Sequence, residues 1–418
     1  MDNTGDFQTY SLADFFVPDT DDPIRPAPQF MEWRRQTAWA TSLYEQSLLE
    51  GPVPRTALLV DGKRLPVINM ASYNYLGLAR HPETVAAAKE ALDRYGVGAC
   101  GSPILSGMTD LHRQLESRLS SFLGREQSML FNSGFGGALG MLAGVLRRGD
   151  AAIMDSKCHI SLVEGAKLSG AKVVPFDHNS AESLDACLTR TATSRRVVVT
   201  EGVFSMDGDM ADLPTLTPVI ERHGVGLVID EAHSILTCGA TGQGAGEHFG
   251  QEDKIALKYA TFSKAFGAVG GFVSGPADTI EYLRFFASSY GFSCALPPAI
   301  VAAVLAGLDI AGRDSTLRDR LAVNSDYFRA QLAALGIDTG ASTTQVVPII
   351  IGSDRRLLYE LGLEMRARGL FLAPVDYPSV PEDSVRFRAS VTAEHTRQDL
   401  DEALNIIADV VVPRIEKR

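Results

Sequence analysis

The stretch Tyr259-Ala260-Thr261-Phe262-Ser263-Lys264-Ala265-Phe266-Gly267, followed by Gly270-Gly271-Phe272-Val273, decides the reading of this chain. A β-rich run ends at the lysine stretch and another begins at Gly271, so one lysine stands in a glycine-rich excursion between two predicted strands. Small hydroxyl residues flank it. A lysine at such a strand exit can be desolvated and held against a carbonyl group, which suits a Schiff base. An ordinary surface lysine at a strand-to-loop junction has the same local pattern, so the reading turns on what other stretches supply.

Outward from the lysine, short β-rich runs alternate with helical ones. Strands are predicted at 127–131, 151–154, 171–176, 196–200, 226–230, 257–261 and 271–274, and helices at 111–123, 134–147, 161–169 and 214–223. That alternation argues for a mostly parallel α/β sheet. Upstream, His81-Pro82-Glu83 opens a helix, with proline at its first turn. The run 57–68 reads as two strands joined at Asp61-Gly62. In 31–49, Trp33, Trp39, Leu43, Tyr44 and Leu48 fall near helical spacing, an amphipathic arm that needs a surface to cover, such as a partner subunit. Residues 1 to about 30 are rich in Asp and Pro and are expected to be irregular at the very end. After Pro297-Pro298 the pattern changes to a helical region (298–335), a strand (345–351), a helix (354–368), strands near 370–373 and 385–390, and a helix (396–411). The expected organisation is an N-terminal arm and helix (1–55), a large α/β domain (56–296) and a smaller α+β domain (297–418).

The bulk properties of the 418 residues narrow the function. Hydrophobic residues make up 45% and charged ones 22%, as in ordinary globular proteins. A net charge of −12 disfavours nucleic acid and anionic membrane surfaces as partners. The most apolar helical stretch, 299–308, is too short to span a bilayer. The first 22 residues are acidic and lack the order of a signal peptide. Five dispersed cysteines (Cys100, Cys158, Cys187, Cys238, Cys294), with no CxxC pair and no metal-like spacing, suggest reduced thiols, a cytoplasmic location and no metal site.

Two further stretches carry chemistry. Gly226-Leu227-Val228-Ile229-Asp230-Glu231-Ala232-His233 reads as a buried strand ending in an acid pair and a histidine. Ligands bind at the carboxyl ends of strands in open α/β sheets. An aspartate there can hold a protonated ring nitrogen, as pyridoxal phosphate (PLP) requires. A Walker-B aspartate looks similar, but no GxxxxGK[ST] loop exists in the chain. Asn132-Ser133-Gly134-Phe135-Gly136-Gly137 lies between a strand and a helix, where free backbone N–H groups make a phosphate site. The glycine-rich 239–246 lacks the strand–turn–helix setting and downstream acid of a dinucleotide fingerprint. Asp207-Gly208-Asp209 lacks the spacing and terminal Glu of a calcium loop. Of eight histidines, His159 and His233 end predicted strands in the α/β part; His112 suits a structural role near a helix start. The other five, His178 among them, read as structural or solvated.

Together these residues resemble the α-oxoamine synthase family of PLP enzymes, which includes serine palmitoyltransferase and 8-amino-7-oxononanoate synthase. The match runs in order from Ser72 to Thr396: Tyr73-Asn74-Tyr75-Leu76-Gly77-Leu78, Leu105-Ser106-Gly107, Ser133-Gly134-Phe135, Glu201-Gly202-Val203-Phe204-Ser205-Met206-Asp207-Gly208-Asp209, Asp230-Glu231-Ala232-His233, Thr261-Phe262-Ser263-Lys264, Phe292-Ser293 with Leu296-Pro297-Pro298, and Arg388 before Ala393-Glu394-His395-Thr396. The resemblance implies PLP-dependent transferase fold type I and a homodimer with shared active sites. It implies that Lys264 carries the cofactor as a Schiff base and moves the Cα proton, Asp230 binds the pyridinium nitrogen, and His159 stacks on the ring. His233 and Ser205 would bond the phenolic oxygen. Ser133, Gly134, Phe135, Thr261 and Ser263 would surround the phosphate, with Ser293 reaching it from the neighbouring subunit. Asn74 and Arg388 would handle the amino-acid carboxylate.

The implied reaction is a decarboxylative condensation of an amino acid with an acyl thioester, giving an α-amino ketone, CO2 and free thiol. Pro103, Ile160 and Gln243 depart from frequent family residues on the acyl-donor side. The run Tyr95-Gly96-Val97-Gly98-Ala99-Cys100-Gly101 is closer to serine palmitoyltransferases and natural-product synthases. Those features point to a small amino acid (alanine, serine or glycine) and a fairly hydrophobic acyl group, on CoA or an acyl-carrier protein. The competing readings are another fold-type-I enzyme, such as an aminotransferase or aldolase, and a non-catalytic synthase subunit. Such subunits typically lack the lysine that this chain keeps.

Overall fold

The structure is a computed structural model and describes residues 22–415. In chain order its strands are β1 (Arg55–Val60), β2 (Lys63–Asn69), β3 (Gln127–Phe131), β4 (Ala151–Asp155), β5 (Lys172–Phe176), β6 (Arg196–Glu201), β7 (Gly226–Asp230), β8 (Ile255–Thr261), β9 (Gly271–Gly275), β10 (Val346–Gly352), β11 (Leu370–Phe371), β12 (Ala373–Val375) and β13 (Val385–Ser390). The chain divides into two compact units.

One unit comprises Tyr73–Ser205 and Asp209–Leu321. It holds a seven-stranded sheet in the order β3-β9-β8-β7-β6-β4-β5, in which β4 to β8 pair in parallel and β9 runs antiparallel to both its neighbours, β3 and β8. The strands are almost continuously apolar because both faces are covered. Successive residues go to opposite sides, as the pleat requires. Ala152, Met154, Val199, Val228 and Leu257 pack with helices Gly134–Val145 and Ala277–Phe286. Ala151, Ile153, Val198, Leu227 and Ile229 pack with helices Ala181–Arg190 and Leu213–Arg222. Parallel strands bring Phe131, Asp155, Glu201, Asp230 and Thr261 to one edge of the sheet. The antiparallel β9 starts at that edge, with Gly271 opposite Phe131.

The other unit joins the described residues up to Ser72 with Met206–Gly208 and the chain from Ala322 onward. It holds two three-stranded sheets, β1-β2-β11 and β10-β13-β12, around one apolar core. Buried Arg355 pairs with Asp376 at 2.8 Å, and Tyr359 donates to the same carboxylate while bonding Tyr44 at 2.8 Å. The segment Met206–Gly208 is held here by Arg386, whose guanidinium reaches Asp207 at 2.8 Å, and by Thr344, which donates to the Gly208 carbonyl.

These units do not follow the expected boundaries. The hairpin β1–β2, assigned to the large domain, belongs with the C-terminal unit because β2 pairs with β11. Helix Pro298–Arg313, assigned to the small domain, packs through Ala299 and Ala302 on Ala91 of helix Pro82–Tyr95 and stays with the sheet. The single helix expected over 31–49 is two short ones, Pro28–Gln36 and Ala38–Thr41. Hydroxyls of Thr37, Thr41 and Ser42 bond back to carbonyls of the preceding turn and compete with a longer helix. The irregular segment expected at the start lies largely outside the described residues. Helices Ala181–Arg190 and Ala277–Phe286 were not predicted.

Candidate active site

The site forms in the sheet-containing unit, at the edge where the parallel strands end. After β8 the chain folds back on itself: Phe262 N–H donates to the Gly270 carbonyl at 2.8 Å, and the Phe262 ring packs between Phe266 and Phe272. This closed loop presents Lys264, half-buried, near Asp230 and Glu201, both of which feel its charge. Gly267 has φ +66° and lies so close to Ala79 that a Cβ would sit 2.3 Å from the Ala79 nitrogen. Beneath it, buried Asn74 accepts from Ala79 N–H at 3.1 Å and holds the turn that supports the lysine loop.

Asp230 ends β7, buried, with Oδ1 accepting from Ala232 N–H at 2.8 Å. Burial pushes its carboxyl up to about 6 against the pull of Lys264. Glu201 stands beside it in register at the end of β6 and is raised well above the usual carboxylate range, first by burial and then by Asp230. A buried acid pair of this kind favours the arrival of a cation. Glu201 also accepts from the His159 backbone N–H. His159 caps helix Ile160–Leu168, its ring exposed and its Nδ1 bonded to the Ser161 hydroxyl at 2.7 Å. His233 is buried, with Nδ1 2.8 Å from the Tyr75 hydroxyl, and Ser205 is buried after β6.

A candidate phosphate cradle is built from hydroxyls and missing side chains. Ser133 caps helix Gly134–Val145 and accepts from Gly136 N–H at 3.0 Å. Thr261 donates to the Gly270 carbonyl at 2.9 Å and stands 2.8 Å from the Ser263 hydroxyl. Tyr259 donates to the Gly134 carbonyl at 2.7 Å. A Cβ on Gly134 would lie 2.5 Å from Thr261 Oγ1, so only glycine lets the helix N-terminus meet these hydroxyls. Phe135, 49% exposed, follows on the first turn. Ser293, expected to come from a neighbouring subunit, lies against Asn132 Nδ2 of its own chain, one residue ahead of Ser133. We expect Gly134→Ala to weaken cofactor binding about tenfold or more through overpacking, measured by absorbance titration with PLP; unchanged affinity would refute the cradle.

The residues therefore fit PLP: a lysine, a buried acid that a pyridinium would satisfy, and a helix N-terminus open to a phosphate. The structure places Asn74, Ser133, Gly134, Phe135, His159, Ser205, Asp230, His233, Thr261, Ser263, Lys264 and Ser293 in the same unit. Arg388 is in the other, buried on β13 opposite Pro348, with Nη1 3.8 Å from Met206 Sδ. Sequence reasoning missed Glu201 and Tyr75 as positioning residues, although both stand in the quoted runs. His178, expected to be structural or solvated, is structural: Asp155 and Asp209 hold it, one at each ring nitrogen.

This fold and site define a PLP-dependent enzyme of fold type I. Residues 66–407 match the family aminotransferase class I and II. The chain is 39% identical over 367 residues to an 8-amino-7-oxononanoate synthase of Thermoanaerobacter pseudethanolicus, covering 87% of this chain and 92% of that protein. It is 37% identical over 350 residues to a serine palmitoyltransferase of Sphingobacterium spiritivorum, covering 84% and 87%. A serine palmitoyltransferase structure from S. paucimobilis superimposes with a TM-score of 0.88 at 28% identity, covering 94% of this chain and 98% of that one. The chain belongs to the aminotransferase class I and II family and, within it, to the α-oxoamine synthases, PLP-dependent acyltransferases that join an amino acid to an acyl thioester with loss of CO2. Among the described residues no helix is long and apolar enough to cross a membrane.

Proposed function

We propose that this enzyme condenses a small amino acid (alanine, serine or glycine) with a fairly hydrophobic acyl thioester, on CoA or an acyl-carrier protein, in the cytoplasm. The observation that carries the reading is Lys264 set beside Asp230 and the hydroxyl-lined helix N-terminus at one sheet edge. Bound there, PLP supplies a sink for the electron pair left on the amino-acid α-carbon. Lys264 tethers the cofactor, then takes the Cα proton and later returns it. Asp230 keeps the ring nitrogen protonated, and His159 covers the ring face. His233, aligned by Tyr75, and Ser205 bond the phenolic oxygen. Asn74 takes the substrate carboxylate. The new bond joins the α-carbon to the thioester carbonyl; the thiol departs and the carboxylate leaves as CO2.

Relatives named for serine and palmitoyl transfer support the substrate classes. Next to Ser293 lies an apolar surface, where Leu105 is 84% and Phe292 92% exposed. A second copy of the chain covering that surface is the homodimer we propose, with Ser293 offered across it. The test is a matrix of amino acids against acyl-CoA lengths and acyl-carrier thioesters, followed by thiol release. One small amino acid paired with a medium or long chain should stand out. Conversion of the amino acid to a keto acid without thiol release would mark an aminotransferase instead.

A further inference from the structure

His178 lies outside the cofactor-contacting set, yet it connects two of the loops that carry that set. Its Nδ1 is 3.0 Å from Asp155 Oδ1 and its Nε2 is 2.7 Å from Asp209 Oδ2. Ionised carboxylates are acceptors only, so with both ionised the two ring nitrogens donate and the ring is an imidazolium; Asn179 Nδ2, 3.4 Å from Nε2, donates to the same Asp209 oxygen. Asp155 ends β4 and organises the turn to His159: its Oδ1 accepts from Lys157 N–H at 2.9 Å and its Oδ2 from Asn179 N–H at 3.0 Å. Asp209 closes the loop after β6, where its carbonyl accepts from Phe204 N–H at 2.9 Å, next to Ser205. The Phe204 ring stands edge-on to the imidazole, with centroids 4.4 Å apart.

We propose that His178 is a protonated clamp that fixes the His159 turn to the Ser205 loop, and so acts as a positioning residue for the histidine over the cofactor ring. Its effect on the cofactor rests on the proposed role of His159; the clamp itself does not. The charged groups facing His178 are Asp155, from the end of β4, and Asp209, from the loop after β6. Burial alone would push the imidazole pKa down, but hydrogen bonds and charge from the two carboxylates outweigh it and raise it to about 9. With the folded value above the unfolded one near 6.5, the clamp's contribution is full below pH 6.5 and is lost as pH rises towards 9.

The experiment uses the full-length holoenzyme labelled with 15N-histidine, with the His178 signals assigned by their loss in His178→Gln. Both His178 nitrogens should remain protonated to about pH 8, and Asp209→Asn should bring the loss of that proton to lower pH. His178→Gln should also weaken the visible circular dichroism of the bound cofactor and lower kcat by about tenfold or more, with little change in KM. A single neutral tautomer at pH 7.5 would overturn the clamp. Unchanged cofactor dichroism and kcat in a folded His178→Gln enzyme would overturn the positioning role. His159→Ala, run alongside, separates the two readings: if its dichroism is unaltered, the fault lies with the role given to His159.

Discussion

Lys264→Ala is expected to abolish the visible absorbance of covalently held cofactor and to cut turnover by about 10⁴-fold, the upper range for a positioned proton-transfer group. We propose two jobs for this residue. The loop closed by Phe262 and Gly270 holds it beside two buried acids, which fits a tether. The same position lets it exchange a proton with the α-carbon once the amino acid has taken its place. Loss of the tether alone would be offset in part by added cofactor, since the cradle at Ser133, Gly134, Thr261 and Ser263 is intact. Loss of the proton carrier would not. The variant should therefore bind PLP, take up amino acid spectrally when both are supplied, and still release no thiol. Retention of the absorbance band would remove Lys264 from the centre of the site.

Asp230→Asn is expected to lower kcat by about a hundredfold, comparable with removing one preorganised electrostatic contact. An amide does not keep a ring nitrogen protonated as a carboxylate does. The variant also has a thermodynamic signature. Without cofactor, burial lifts the Asp230 carboxyl from 3.8 to about 6, so between those values the native state holds a proton that the unfolded chain has released. Stability then falls as pH rises through that window. A bound pyridinium removes the penalty, so the gain in Tm on adding PLP should grow from pH 5 to pH 7.5. In Asp230→Asn that growth should flatten. A gain in Tm that is independent of pH in the native enzyme would contradict the pairing.

The sheet and most of the site were legible because their signals are local. Runs such as 127–131 and 226–230 match β3 and β7 residue for residue, since buried parallel strands are short, apolar and bounded by turns. Lys264, Asp230, His233 and Ser133 follow directly from where those strands end. Other parts depend on pairing across the chain. Nothing near β2 announces that Ile68 will pair with Leu370, so the hairpin was assigned to the wrong unit. Glu201 and Tyr75 were visible as motif residues, but their work on His159 and His233 appears only when the loops come together. The partners of His178 are equally non-local, since its two acids come from positions 155 and 209. Helix Ala181–Arg190 did carry a signal, since Ser180 accepts from Ser183 N–H as its cap.

The family's reaction joins an amino acid to an acyl thioester with loss of CO2. The direct measurement follows carboxyl-labelled amino acid and free thiol together in one reaction of the holoenzyme. One CO2 should appear for each thiol, and neither should form without both substrates. Thiol without CO2, or labelled keto acid without thiol, would contradict it.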